Sequence, residues 1–186
     1  MPAPPRVRFV LDRSLTALAY RCWPSGCPRG RTCCHGLVLE LSRREVRAID
    51  SLMDELARVV PRLRDRRGGY RNVFVEEPPG YVVDHDEHRG CPFLLRTPTH
   101  SLCSIHAVAL ETGRRVDTVK PAACRHWPIT LEPDGRAVRV TVHEAAQKIG
   151  CVAPRRTLPG HPTVLEAFRA EITELCGPAV VRRVRT

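Results

Sequence analysis

The sequence predicts a small, irregular α+β fold, one domain over residues 1–186 with about three helices and short antiparallel strands, two of them in a hairpin. Three observations predict it. Apolar residues recur at helical spacing near 46–60, 104–110 and 165–175, and each window opens on a Ser or Thr able to cap it. Between these windows, short runs rich in Val, Leu, Ile, Phe and Tyr are bounded by Pro, Gly and Asp, the pattern of brief strands. The 17 prolines and 12 glycines interrupt the chain too often for any long element.

Taken in order, 6–11 reads as a strand and 37–41 as a second. Ser42-x-x-Glu45 is a capping box, so a helix starts there. Val46, Ile49, Leu52, Met53, Leu56, Val59 and Val60 form its apolar face, Asp54 and Arg58 an i,i+4 pair, and Pro61 its end. The arginines at 58, 62, 64, 66 and 67 read as a solvated face. Val73–Val75 and Tyr81–Val83 are short strands around the turn Pro78-Pro79-Gly80. Ser104 is the expected N-cap of a helix through Ala107, Val108 and Leu110, stopped by Gly113. Trp127 to Val142 is a hairpin turning at Pro133-Asp134-Gly135, with Val138, Val140 and Val142 alternating. A second capping box, Thr163-x-x-Glu166, opens a C-terminal helix over about 163–176, with Leu165, Phe168, Ile172 and Leu175 on its apolar face and Gly177 as its cap.

At 42% apolar the chain has enough for a real core, and with only 5% aromatic that core is mainly aliphatic. No run approaches the ~18 apolar residues of a membrane span, so no membrane partner is expected. No apolar segment follows Met1-Pro-Ala-Pro-Pro-Arg6, so the expected location is cytoplasmic, where thiols stay reduced. The net charge of +10 comes from 30 basic residues of which only Lys120 and Lys148 are lysines. An arginine bias of this kind reflects codon composition as much as function, so a nucleic-acid partner is not favoured.

The segment Cys22-Trp-Pro-Ser-Gly-Cys27-Pro-Arg-Gly-Arg-Thr-Cys33-Cys34-His35 is different in kind. It carries four thiols within thirteen residues, with Pro24, Gly26, Pro28 and Gly30 forcing turns and few apolar side chains to hold a shape. Metal ligation supplies folding free energy to such segments directly, so this stretch reads as a metal-binding knuckle that stabilises the domain. Neighbouring side chains point apart, so Cys33 and Cys34 suit two metal atoms, or a cluster, better than one tetrahedral ion. Arg21, Arg29, Arg31 and Arg125 stand beside cysteines, where a positive charge favours thiolate. More candidate thiols follow in Cys91-Pro-Phe-Leu94, Cys103-Ser-Ile-His106 and Lys120-Pro-Ala-Ala-Cys124-Arg-His126. Cys103 precedes a helix N-terminus, which favours a thiolate, and the hairpin separates Cys124 from Cys151 and can bring both to one side. His35, His106 and His126 read as neighbours that orient ligands, and Asp84-His85-Asp86-Glu87-His88 as a solvated acidic loop.

In this order the motifs resemble the YkgJ-type cysteine-cluster proteins, a family described as zinc- or iron-chelating. The resemblance rests on Cys33-Cys34, Cys91-Pro-Phe-Leu94, Cys103-Ser-Ile-His106, Pro121-x-x-Cys124-Arg-x-x-Pro128 and Cys151, and it covers about residues 20–153. The family's opening motif is close to C-x-x-C-x-x-C-C, whereas here the gaps are four and five residues. The arrangement is also similar to that of flagellin lysine methylases, where an iron–sulfur centre is implied. The resemblance implies eight metal ligands, Cys22, Cys27, Cys33, Cys34, Cys91, Cys103, Cys124 and Cys151, holding an iron–sulfur cluster, iron or zinc, with no agreed activity. Cys176 is left over, at the end of the last helix.

All-sulfur sites suit zinc and iron–sulfur clusters alike. The expectation is therefore a metal-binding protein whose centre supports redox or modification chemistry, with a structural zinc domain presenting a surface to protein or nucleic acid as the alternative. No nucleophile–base motif, phosphate-binding loop or nucleotide fingerprint is present, so no catalytic residue is assigned.

Overall fold

The structure, a computed structural model, describes residues 7–22, 27–28, 32–35, 38–85 and 90–182, with the backbone alone at His35. In chain order it begins with β1 (Arg8–Leu11), the single turn α1 (Ser14–Ala17) and β2 (Leu18–Tyr20). Then come β3 (Cys27–Pro28), β4 (Glu40–Leu41), α2 (Arg43–Asp50), α3 (Met53–Val59), β5 (Phe74–Glu77) and β6 (Gly80–Val83). They are followed by β7 (Leu94–Arg96), β8 (His100–Cys103), α4 (Ser104–Glu111), α5 (Val116–Val119) and α6 (Ala122–His126). The last third holds β9 (Ile129–Asp134), β10 (Ala137–Val142), α7 (Ala145–Ile149), β11 (Val152–Pro154), α8 (Val164–Ala167), α9 (Arg169–Cys176) and α10 (Pro178–Arg182).

The fold is α+β with short, mostly antiparallel strands. Among the described residues it has ten helices, of which only α2, α3, α4 and α9 reach seven residues. The three expected helices are all present, two of them broken. Ser51 divides the first: its hydroxyl donates to the Ala48 carbonyl at 2.8 Å, competing with the backbone ladder, and the next amide, Leu52, donates to Ile49 instead of continuing the α pattern. The C-terminal helix breaks at Phe168, whose ring packs edge-on against Tyr20 at 4.6 Å. Both capping boxes form, Ser42 with Glu45 and Thr163 with Glu166. The expected Asp54–Arg58 pair is replaced by longer reaches: Arg58 bonds Glu111 on α4 at 2.7 Å, and Asp54 accepts from Tyr70.

The expected single domain is organised as two compact units, residues 1–22 with 126–186, and residues 23–125. In the first, β9 and β10 form the expected hairpin around Gly135, whose φ of +59° suits the residue without a Cβ. The N-terminal strand joins this hairpin parallel to β10, a pairing of residues more than a hundred positions apart that no local pattern announces. A second ladder pairs β2 with β11. Leu15, Val140, Val164, Leu165 and Ile172 are buried in this unit, an aliphatic core as the composition implies.

The second unit carries two three-stranded antiparallel sheets, ordered β4-β6-β5 and β3-β8-β7. Gly80 is required in the former: a Cβ there would lie 2.5 Å from the Leu41 carbonyl oxygen, so only glycine lets β4 and β6 close. Ile49, Leu52, Leu56 and Leu63 pack against Val73, Phe74, Phe93 and Val108 in one core, with the two Phe rings 5.9 Å apart. Fully burying side chains of this kind stabilises by about 1.5–3 kcal/mol each. Among the described residues no helix is long and apolar enough to cross a membrane.

Candidate functional site

Against that core, four separate stretches of the second unit bring five thiols to one cavity of about 20 Å³: Cys33, Cys34, Cys91, Cys103 and Cys124. Leu39, Ile49, Val83, Phe93, Ile105 and Pro121 complete its wall. Among the described residues, neither carboxylate nor imidazole lines it. No group of three or more His, Cys, Asp or Glu side chains among them forms a ready-made coordination set as placed. The thiols share a cavity without closing on one point.

Each thiol is placed by an identifiable local device. The vicinal pair sits on a tight turn, Cys33–His35, that starts where the buried Thr32 hydroxyl accepts from the Cys34 amide at 3.2 Å. This turn carries both thiols to the same cavity. The Cys34 carbonyl accepts from the Cys91 amide at 2.9 Å, fastening the two loops together. Cys103 ends β8 and is itself the N-cap of α4. Ser104, the expected cap, is instead the first helical residue, fully buried, its hydroxyl donating to the Phe93 carbonyl at 2.7 Å. Cys124 lies on α6, and Glu45 holds that helix: Oε1 accepts from the Ala122 amide at 2.8 Å while Oε2 serves the capping box at Ser42.

The electrostatics are those of thiols crowded in an apolar wall. A hydrogen bond from Cys34 brings the Cys33 thiol down to about 6 against the opposing effect of burial, helped by the Lys120 charge and the Thr32 hydroxyl. The same bond, then burial and the charges of Cys33, Cys103 and Cys91, push Cys34 up. Burial raises Cys91 to about 12, opposed by the Phe93 amide and Arg62. It also raises Cys103, against Lys120 and the His106 and Ile105 amides, and Cys124, with the Cys103 charge adding. Lys120 is the cation that acts on Cys33, Cys103 and Cys124, and burial, with the Lys120 charge, pulls His106 down.

The other expected residues are placed as follows. Cys27 lies on β3 opposite Ser101 of β8, two positions before Cys103, and does not line the cavity. Cys22 and Cys151 belong to the first unit. There the Arg21 amide donates to the Cys151 carbonyl at 2.8 Å, so the two cysteines flank the end of the β2–β11 ladder, Cys22 exposed and Cys151 buried with its thiol 3.6 Å from the Ala146 carbonyl. None of the nine cysteines is in a disulfide. His106, on α4, does not line the cavity, and His126 Nε2 lies 3.6 Å from Glu174 in the first unit. The His35 side chain and residues 86–88 of the acidic run lie outside the described residues; Asp84 follows β6, its amide donating to Val73. Arg62, expected on a solvated face, is half-buried against the backbone of the Cys91 turn.

No family model, no curated protein and no solved structure matches the chain. The resemblance to the YkgJ-type proteins therefore rests on the cysteine motifs themselves.

Proposed function

We propose that residues 23–125 form a thiolate metal-binding unit whose ligands come from Cys33, Cys34, Cys91, Cys103 and Cys124. One observation carries this reading: five thiols from four distant stretches line one small cavity with only hydrocarbon beside them. Such a donor set fits thiophilic ions, zinc or iron, and is wrong for magnesium or calcium, which demand oxygen. The cavity of about 20 Å³ has the room of roughly one water-sized sphere, which supports a single ion over a multi-atom iron–sulfur cluster. When bound, the ion would supply folding free energy to loops that have little core of their own.

The chain's own residues have defined parts in this reading. The Thr32, Ser104 and Glu45 side chains hold the turns that carry the thiols. Phe93, Ile105 and Pro121 keep water out, and Lys120 offsets the charge that thiolates add. As placed, the thiols need to turn inward to meet one ion. Of the expected eight ligands this proposal keeps the five that line the cavity, and membership of the YkgJ-type family and a cytoplasmic location belong to the same proposal. The closed, all-sulfur lining favours a structural site over an open catalytic one.

Metal analysis and an optical spectrum on anaerobically purified full-length protein test it. A colourless protein with about one zinc per chain is the expected result. A brown protein absorbing in the visible would replace zinc by an iron–sulfur centre. Folded protein with neither metal, its thiols freely titratable and unresponsive to added zinc or iron, would overturn the proposal.

A further inference from the structure

We propose that Arg62 is a positioning residue of this thiol site, holding the Cys91–Leu94 turn in the shape that presents the Cys91 thiol to the cavity. The inference rests on the metal reading above and extends it to a residue outside every cysteine motif.

Pro61 cannot continue α3, so the chain leaves that helix through the tight turn Pro61–Leu63, and Arg62 reaches back across the core. Its guanidinium meets three carbonyls of one four-residue stretch. Nε donates to Pro92 at 3.2 Å, and Nη2 to Cys91 at 3.1 Å, Pro92 at 3.1 Å and Leu94 at 2.6 Å. The remaining carbonyl, Phe93, accepts from both the amide and the hydroxyl of Ser104, at 2.9 and 2.7 Å. Every carbonyl from Cys91 to Leu94 thus accepts from a donor outside the stretch, the Cys91 carbonyl also closes the turn by accepting from the Leu94 amide at 3.0 Å, and the Cys91 amide is tied to Cys34. The carbonyls of Cys91, Pro92 and Leu94 thus meet on one guanidinium, which ties the turn to the start of β7.

A planar guanidinium with five donors can span them; a lysine ammonium, a point charge on a flexible stem, can satisfy them only in part. Arg62 therefore acts on the site through the shape of the Cys91–Leu94 turn. Residues that orient metal ligands without touching the metal typically change affinity by roughly 10–100-fold when removed.

The test uses the full chain with zinc alone as probe. Arg62→Met and Arg62→Lys are compared with wild type by chelator competition, by thermal unfolding of the metal-free chain, and by the alkylation rate of Cys91 relative to Cys103. Arg62→Met is expected to bind zinc about 10–100-fold more weakly and to alkylate faster at Cys91 alone, with Arg62→Lys between it and wild type. Wild-type affinity in Arg62→Met overturns the inference. So does a loss matched by equal acceleration at Cys91 and Cys103, which would mark general loosening. If wild type takes up neither zinc nor iron, the metal reading fails by itself. Selective Cys91 exposure in Arg62→Met would then still uphold the positioning role, and its absence would end that as well.

Discussion

The two units of the chain hold cysteines in opposite ways. In the unit of residues 1–22 and 126–186, Cys151 is buried beneath a ladder of backbone bonds and Cys176 sits half-buried at a helix end, each explained by packing. In residues 23–125, five thiols face one cavity, and the backbone around them is held by side chains of Thr32, Glu45, Arg62 and Ser104. In the second unit, side-chain hydrogen bonds fix the loops and the helix that carry the thiols.

The largest expected effect breaks the second unit alone. Cys103→Ala should lose nearly all bound metal and with it about 4 kcal/mol, the stabilisation given by free metal near a thousand times its Kd. Cys33→Ser and Cys34→Ser should each lower metal content as well, because both thiols reach the cavity. Metal per chain and unfolding midpoint measure this, and unchanged values for either serine variant would make that thiol an ordinary buried cysteine.

The next sharpens the contrast from the other side. Ile172 is fully buried in the first unit, and Ile172→Ala should cost about 2–5 kcal/mol through lost apolar contact and a cavity. Metal per folded chain should not change. Loss of metal along with stability would show that the two behaviours are one.

Smaller again is the contribution of Glu45. Burial alone would raise its pKa, but the Ala122 amide and the Ser42 hydroxyl and amide hold it below the ordinary glutamate value. A depressed folded-state pKa stabilises fully above the unfolded value, about 4.3, and the contribution fades as pH falls through the folded one. Glu45→Gln keeps a single acceptor oxygen where two are used, so it should cost about 1 kcal/mol at pH 7, a modest figure for a group still open to water. The gap between the two proteins should close on acidification below about pH 4. A gap independent of pH would assign the loss to geometry instead of charge.

Glu45 also shows what was legible in the sequence and what was not. Its capping box with Ser42 lies within four residues and was readable, as were the Thr163–Glu166 box, the Gly135 turn and the cysteine motifs. Its second bond, to Ala122, spans 77 positions and was invisible, and so was the reach of Arg62 to the Cys91 turn. The parallel pairing of β1 with β10 escaped for the same reason. Ser104 enters the helix one residue past the cap because its hydroxyl bonds a buried carbonyl, Phe93, that no local rule supplies. Local pattern gave the parts of the site, and contacts between distant residues assembled them.

The smallest expected effect isolates the ninth cysteine. Cys176 is the last residue of α9, followed by Gly177 at φ +83°, and burial raises its pKa. The unpaired carbonyls at a helix C-terminus carry partial negative charge, so this position disfavours a thiolate, the reverse of Cys103 at the start of α4. A ligand is worst placed there and a small apolar group is well placed. Cys176→Ala should therefore keep full metal content and cost about 1 kcal/mol or less. Measured beside Cys103→Ala, it separates a packed thiol from a binding one within the same chain. If metal is lost on removing Cys176 and kept on removing Cys103, the assignment of roles to the two units is reversed.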